Sequence, residues 1–150
     1  MKKIILFFRF IWELPQNILG LIILLFIRKK VIKKTHYKTR IFYQVNKFGI
    51  SLGSFIFYFD YFEKYNSFKA TNQEHEFGHS IQSLIFGPLY LIVIGIPSIS
   101  RGIYSQLYFK IKNRIWPHYF RGYPENWADS LGKRNFNRWK KEFFDTDFTD

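Results

Sequence analysis

His75-Glu76-Phe77-Gly78-His79 forms an H-E-x-x-H pentad. Residues four apart share one face of a helix, so both imidazoles can hold a single metal ion if the segment is helical. Thr71-Asn72-Gln73-Glu74 has the spacing of a capping box, which predicts a helix running to about Phe86. Glu76 is turned by about 100° from His75. That is close enough to take a proton from a water at the metal without ligating it. Gly78 leaves room on the helix for a strand or a substrate backbone.

A third ligand must come from elsewhere. The chain has no cysteine, which excludes disulfides and thiolate ligands and leaves histidine and carboxylate. Glu125-Asn126-Trp127-Ala128-Asp129 follows Pro124, a good start for a short helix through Leu131 with Gly132 as its stop. Glu125 is the candidate third ligand. Asp129 shares its face and can accept the free N–H of a ligand histidine, fixing its tautomer. His118, in Trp116-Pro117-His118-Tyr119, is the rival third ligand. His118 or Tyr123 could instead stabilise an oxyanion. Gln82, three positions beyond His79, could touch substrate or cap the helix. Zn2+ with three protein ligands and one open position is the cofactor this set suits.

Outward from the pentads the chain is apolar. Ile81–Ile99 carries no charge and is broken at Gly87-Pro88, and Pro97 reads as a stop for it. Ile4–Ile27 would span about 36 Å as a helix, against about 30 Å of hydrocarbon. Glu13, Pro15, Gln16 and Asn17 interrupt that run. It is therefore either a kinked spanning helix or a shallow hairpin turning at Glu13–Asn17. Proline disfavours helix at Leu14 before it, which favours the hairpin. Val31–Arg40 reads as a basic connector. Arg40–Val45 and Ser54–Phe59 read as strands of a small antiparallel ribbon, and Asp60–Lys69 as a polar loop. Arg101–Tyr123 is amphipathic, helical up to Trp116-Pro117.

The fold expected is mainly α and membrane-associated, with an H-E-x-x-H metal helix, a broken apolar helix after it and a β-ribbon before it. Residues 1–30 would be an N-terminal membrane anchor, 31–132 a zinc-site domain including the apolar segment 81–99, and 133–150 a charged tail. The formal net charge is +12. Lys2-Lys3, Arg28-Lys29-Lys30 and Lys33-Lys34 flank the first apolar run, as basic residues do at an anionic lipid surface. Membrane lipid is thus the expected partner and nucleic acid is not. The expected location is a membrane, the bacterial inner membrane, with the metal helix at the water boundary.

The two pentads together resemble those of the gluzincin metallopeptidases. The likeness is greatest to the membrane-embedded branch of the prenyl-protein (CAAX) protease and the bacterial heat-shock membrane protease, where H-E-x-G-H is followed by E-x-x-A-D. Gly87-Pro88-Leu89-Tyr90-Leu91 through Gly95-Ile96-Pro97-Ser98 also looks like small bacterial membrane proteins carrying H-E-x-G-H. The resemblance implies His75, His79 and Glu125 as zinc ligands, Glu76 as base and Asp129 as support. The function expected is a zinc metallopeptidase acting on a peptide or membrane-protein substrate. The alternatives are a non-catalytic scaffold with a structural metal, and a basic lipid-binding protein with none.

Overall fold

Pro15 has no N–H to donate to a helix, and the N-terminal apolar run divides next to it. It forms α1 (Lys2–Trp12) and α2 (Leu14–Ile27). The computed structural model describes residues 2–37, 39–46, 48–59 and 72–144. Helical hydrogen bonds continue through the break: Glu13 N–H donates to the Arg9 carbonyl at 3.1 Å, and Asn17 N–H to the Glu13 carbonyl at 2.9 Å. Asn17 Nδ2 takes up the Phe10 carbonyl at 3.0 Å. The chain therefore bends at Glu13 and does not reverse, which replaces the expected hairpin.

The polar residues of this segment point inward. Glu13, Gln16 and Asn17 are buried, while Phe7, Phe8, Leu25 and Phe26 are exposed. The Glu13 carboxylate makes two bonds with Arg40, to Nη1 at 2.7 Å and Nη2 at 3.1 Å, and accepts the Ser83 hydroxyl at 2.6 Å. What reads in sequence as a charge stranded in an apolar helix is half of a buried ion pair.

The run Ile81–Ile99 is likewise not one helix. α3 (Asn72–Phe86) gives way to a 3-10 turn at Gly87–Leu89, a π turn at Leu91–Gly95, and α4 (Ile96–Lys112). Gly87 has φ 52°, and a Cβ there would overlap the Trp12 indole, so only glycine suits it. Carbonyls freed at the end of α3 are taken by the N-terminal segment: Trp12 Nε1 donates to Leu84 O at 2.9 Å, and Gln16 Nε2 to Gly87 O at 2.8 Å. Pro97 lies in the first turn of α4 and starts a helix, where the sequence suggests a stop.

Among the described residues no helix is long and apolar enough to cross a membrane. α2 and α3 have 14 and 15 residues, about 21 and 22 Å at 1.5 Å per residue. α4 is longer but carries Arg101, Lys110 and Lys112. The spanning segments, the membrane-associated fold and the inner-membrane location expected from hydropathy are overturned by this geometry. The cause is that the interruptions at Glu13 and Gly87-Pro88 divide the apolar runs into helices too short to span.

The β-structure is larger than a ribbon. β1 (Lys33–Tyr37), β2 (Arg40–Gln44), β3 (Ile50–Leu52) and β4 (Phe55–Tyr58) form a sheet in the order β1-β2-β4-β3. β2 and β4, expected to be antiparallel, are parallel, with Phe42 opposite Ile56. The chain leaves β2, runs along the far side of β4 as β3, and turns back at Gly53 (φ 60°). Asn17 Oδ1 accepts the Ser54 N–H at that turn, at 2.7 Å. β1 is the basic connector of the sequence, and its lysines suit an edge strand. The expected polar loop Asp60–Lys69, the capping residue Thr71 and the last six residues of the charged tail, 145–150, lie outside the described residues.

α3 packs on the sheet and on α5 (Glu125–Phe144) through Phe42, Ile56, Tyr58, Phe77 and Phe136. α5 does not end at Gly132. A Cβ on Gly132 would overlap the Glu74 carbonyl, and one on Gly78 the Ala128 carbonyl. The space beside Gly78 thus belongs to another helix, not to a strand or substrate. These glycines set the distance between the two helices that carry the pentads. Gly78→Ala should lower stability by about 1–3 kcal/mol, since the neighbouring atoms are backbone and cannot rotate aside. A urea midpoint equal to wild type would contradict this.

Candidate metal centre

α3 places His75, Glu76 and His79, and α5 places Glu125 and Asp129. All five are buried, with Glu125 fully inaccessible. His75, His79 and Glu125 each offer one ligand atom, and these atoms lie within 4.8 Å of one another. This group could hold a metal ion. His75 Nε2 and His79 Nε2 are 3.1 Å apart. Glu125 Oε2 is 3.0 Å from the first and 3.5 Å from the second. Ligands 2.0–2.2 Å from a tetrahedral centre are about 3.3–3.6 Å apart, so the triangle is close to the size a metal requires.

The outer ring nitrogens are already used. Asp129 Oδ1 accepts the His75 Nδ1–H at 2.7 Å. Gln82 Nε2 donates to the Pro124 carbonyl at 3.2 Å, which turns its Oε1 toward His79. There it accepts the Nδ1–H at 2.8 Å. Both rings therefore present Nε2 to the same point. Neither oxygen of Glu125 has an aligned hydrogen-bond donor. Two imidazole lone pairs and a buried carboxylate facing one another need a cation between them.

The same carboxylates also favour a proton on His75. Burial works to lower the His75 pKa, but the carboxylates of Asp129 and Glu125, with the charge of Glu76, push it up to about 10. Burial raises Glu125, yet the two imidazoles overcome it and hold the carboxyl well below the usual range. A metal entering here would displace such a proton.

Glu76 is driven the other way: burial raises its pKa, and the two histidines only partly oppose this. Its Oε2 is buried without a hydrogen-bond partner. The chain at Gly49 lies against its other oxygen, where a Cβ would overlap Glu76 Oε1. Asn72 Oδ1 accepts the Phe59 N–H at 3.0 Å, leaving its amide nitrogen beside Glu76.

The rival ligand His118 is exposed and outside the group. Tyr123 is also exposed, and its hydroxyl donates to Val93 O at 2.8 Å. The residues between them do reach the site. Phe120 sets its ring edge-on to His75, 5.4 Å between centroids. Tyr119 lies beside Glu125, and burial together with the Glu125 and Glu76 charges raises its phenol pKa. Sequence reading passed over Gly49, Asn72, Tyr119 and Phe120. The only local signals were the capping box for Asn72, the aromatic loop for Tyr119 and Phe120, and for Gly49 its place between the two strand runs.

Comparison with protein-family models, curated proteins and solved structures gives no match. Asp129→Ala should weaken metal binding by about 10- to 100-fold, the usual effect of removing a carboxylate that orients a ligand histidine. Competition titration against a chromophoric chelator measures it, and an unchanged affinity would remove Asp129 from the site.

Proposed function

We propose that this chain is a zinc-dependent hydrolase that cleaves peptide bonds. The supporting observation is the buried convergence of His75, His79 and Glu125, with Glu76 beside it holding an unpartnered carboxylate oxygen. Two nitrogens and one carboxylate oxygen suit zinc and leave one of four tetrahedral positions for water or substrate. The resemblance to the gluzincin pentads points the same way.

When bound, zinc would polarise a carbonyl and lower the pKa of water held there toward about 7. The protein supplies the rest. Asp129 and Gln82 hold the Nδ1 protons, so each Nε2 keeps its lone pair on the metal position. Glu76, made more basic by burial, takes the proton of the attacking water and returns it to the departing amine. Its neighbour Asn72 is fixed by the Phe59 N–H and keeps the carboxylate in place.

A structural metal is the second reading, favoured by one observation: Tyr119 and Phe120 cover a centre whose ligands are buried. Zinc content and proteolysis of a denatured protein mixture, measured for wild type and Glu76→Gln, separate the two. A hydrolase loses turnover and keeps zinc, whereas a structural site shows no zinc-dependent proteolysis in either protein.

A further inference from the structure

Residues 113–124 join α4 to α5 and run across the metal centre as a strap. Its described internal backbone bonds are few and long: Tyr119 N–H to Trp116 O at 3.3 Å and Arg121 N–H to His118 O at 3.2 Å. Its end is held by Gln82 at the Pro124 carbonyl and by the Tyr123 hydroxyl on Val93 O, and its middle by Arg101. Arg101 of α4 donates Nε to Tyr119 O at 3.1 Å and Nη2 to the same carbonyl at 2.6 Å. Nη2 also donates to the carbonyl of His118. The guanidinium lies over the Trp116 ring, 4.8 Å from its centroid. A Cβ on Gly122 would overlap it. A single cation thus ties down Trp116, His118, Tyr119 and Gly122.

One of the residues tied down, Tyr119, and its neighbour Phe120 lie against the candidate ligands. Tyr119 lies beside Glu125, and Phe120 packs edge-on against His75. α4 itself contributes no buried residue. Its hold on the strap is therefore the Arg101 guanidinium, with Tyr104 packed edge-on against Trp116 at 4.7 Å between centroids. Planar, bidentate donation and ring stacking are what arginine supplies and lysine does not. Two carbonyls and a ring arranged around a guanidinium form a built socket.

We propose that Arg101 is a positioning residue that latches the 116–122 strap shut over the metal centre and so controls passage of metal and water to His75, His79 and Glu125. The inference rests on the metal reading of that site. The latch acts through Tyr119 and Phe120 and does not itself touch the centre.

The test uses the full chain loaded with Co2+, whose visible absorption reports the ligand set. Uptake by wild type is measured first, then release into excess chelator for wild type, Arg101→Ala, Arg101→Lys and Gly122→Ala. Gly122 is in extended backbone (φ −113°) that alanine adopts freely, so this variant displaces the guanidinium while leaving Arg101 in place. The expected result is one cobalt per chain with the same spectrum throughout. Release should be at least about tenfold faster in Arg101→Ala and Gly122→Ala, with Arg101→Lys failing to restore the wild-type rate. Release within twofold of wild type, in variants that bind cobalt with an unchanged spectrum, overturns the latch and leaves the metal centre standing. Should wild type take up no cobalt, the metal reading fails, and control of access to it fails with it.

Discussion

Glu76→Gln is expected to reduce zinc-dependent peptide hydrolysis by about 10²- to 10⁴-fold, the usual range for removing a positioned proton acceptor, while zinc content stays at the wild-type level. The amide is nearly the same size as the carboxylate, so the pocket made by Gly49 and Asn72 still holds it. It cannot accept a proton, and it is not among the three groups that could hold metal. Burial already holds the Glu76 pKa up, so a neutral side chain costs the fold little. Retained activity in Glu76→Gln would remove this residue from the chemistry. Loss of zinc along with activity would instead make it part of the metal's support.

The second large effect lies further along α3, at Ser80 and Ser83. Arg40→Leu is expected to destabilise the fold by about 3–5 kcal/mol, because it leaves the Glu13 carboxylate buried without its countercharge. Glu13 would keep the Ser83 hydroxyl at 2.6 Å, a single neutral donor. Arg40 also donates Nη2 to the Ser80 carbonyl at 2.8 Å, one residue beyond His79, so the seating of the metal helix is tied to this pair. The double variant Glu13→Leu with Arg40→Leu should recover most of the loss, since a buried ion pair replaced by apolar side chains is often near neutral. Urea midpoints followed by tryptophan fluorescence give both values. A single variant within about 1 kcal/mol of wild type, well short of the broken-pair range, would mean that water reaches Glu13.

The candidate metal site was legible because its residues obey a local rule. His75 and His79, and again Glu125 and Asp129, stand four apart, and a helix turns such pairs to one side. Sequence alone left Glu125 and His118 open as third ligand, since either could fold back. The structure brings in Glu125 because α5 packs against α3 at Gly78 and Gly132. That packing also explains the error at Gly132: glycine is a common helix terminator, but here a close approach to Glu74 fixed its identity.

The membrane expectation failed for a related reason. Hydropathy records how apolar a run is, not what its polar residues meet. Glu13 pairs with Arg40, and Gln16 meets Ser83, across separations no local window covers. β1 was missed because an edge strand rich in lysine reads as a linker. Arg101 carries no local signal, since its partners are carbonyls of a loop that follows α4.

The most direct measurement is the metal content of the full chain purified without chelators, for wild type and His79→Ala. One zinc per wild-type chain is expected, and none in His79→Ala, with the variant still folded by circular dichroism. Wild-type protein free of transition metal after equilibration with zinc, or zinc retained in full by His79→Ala, would contradict it.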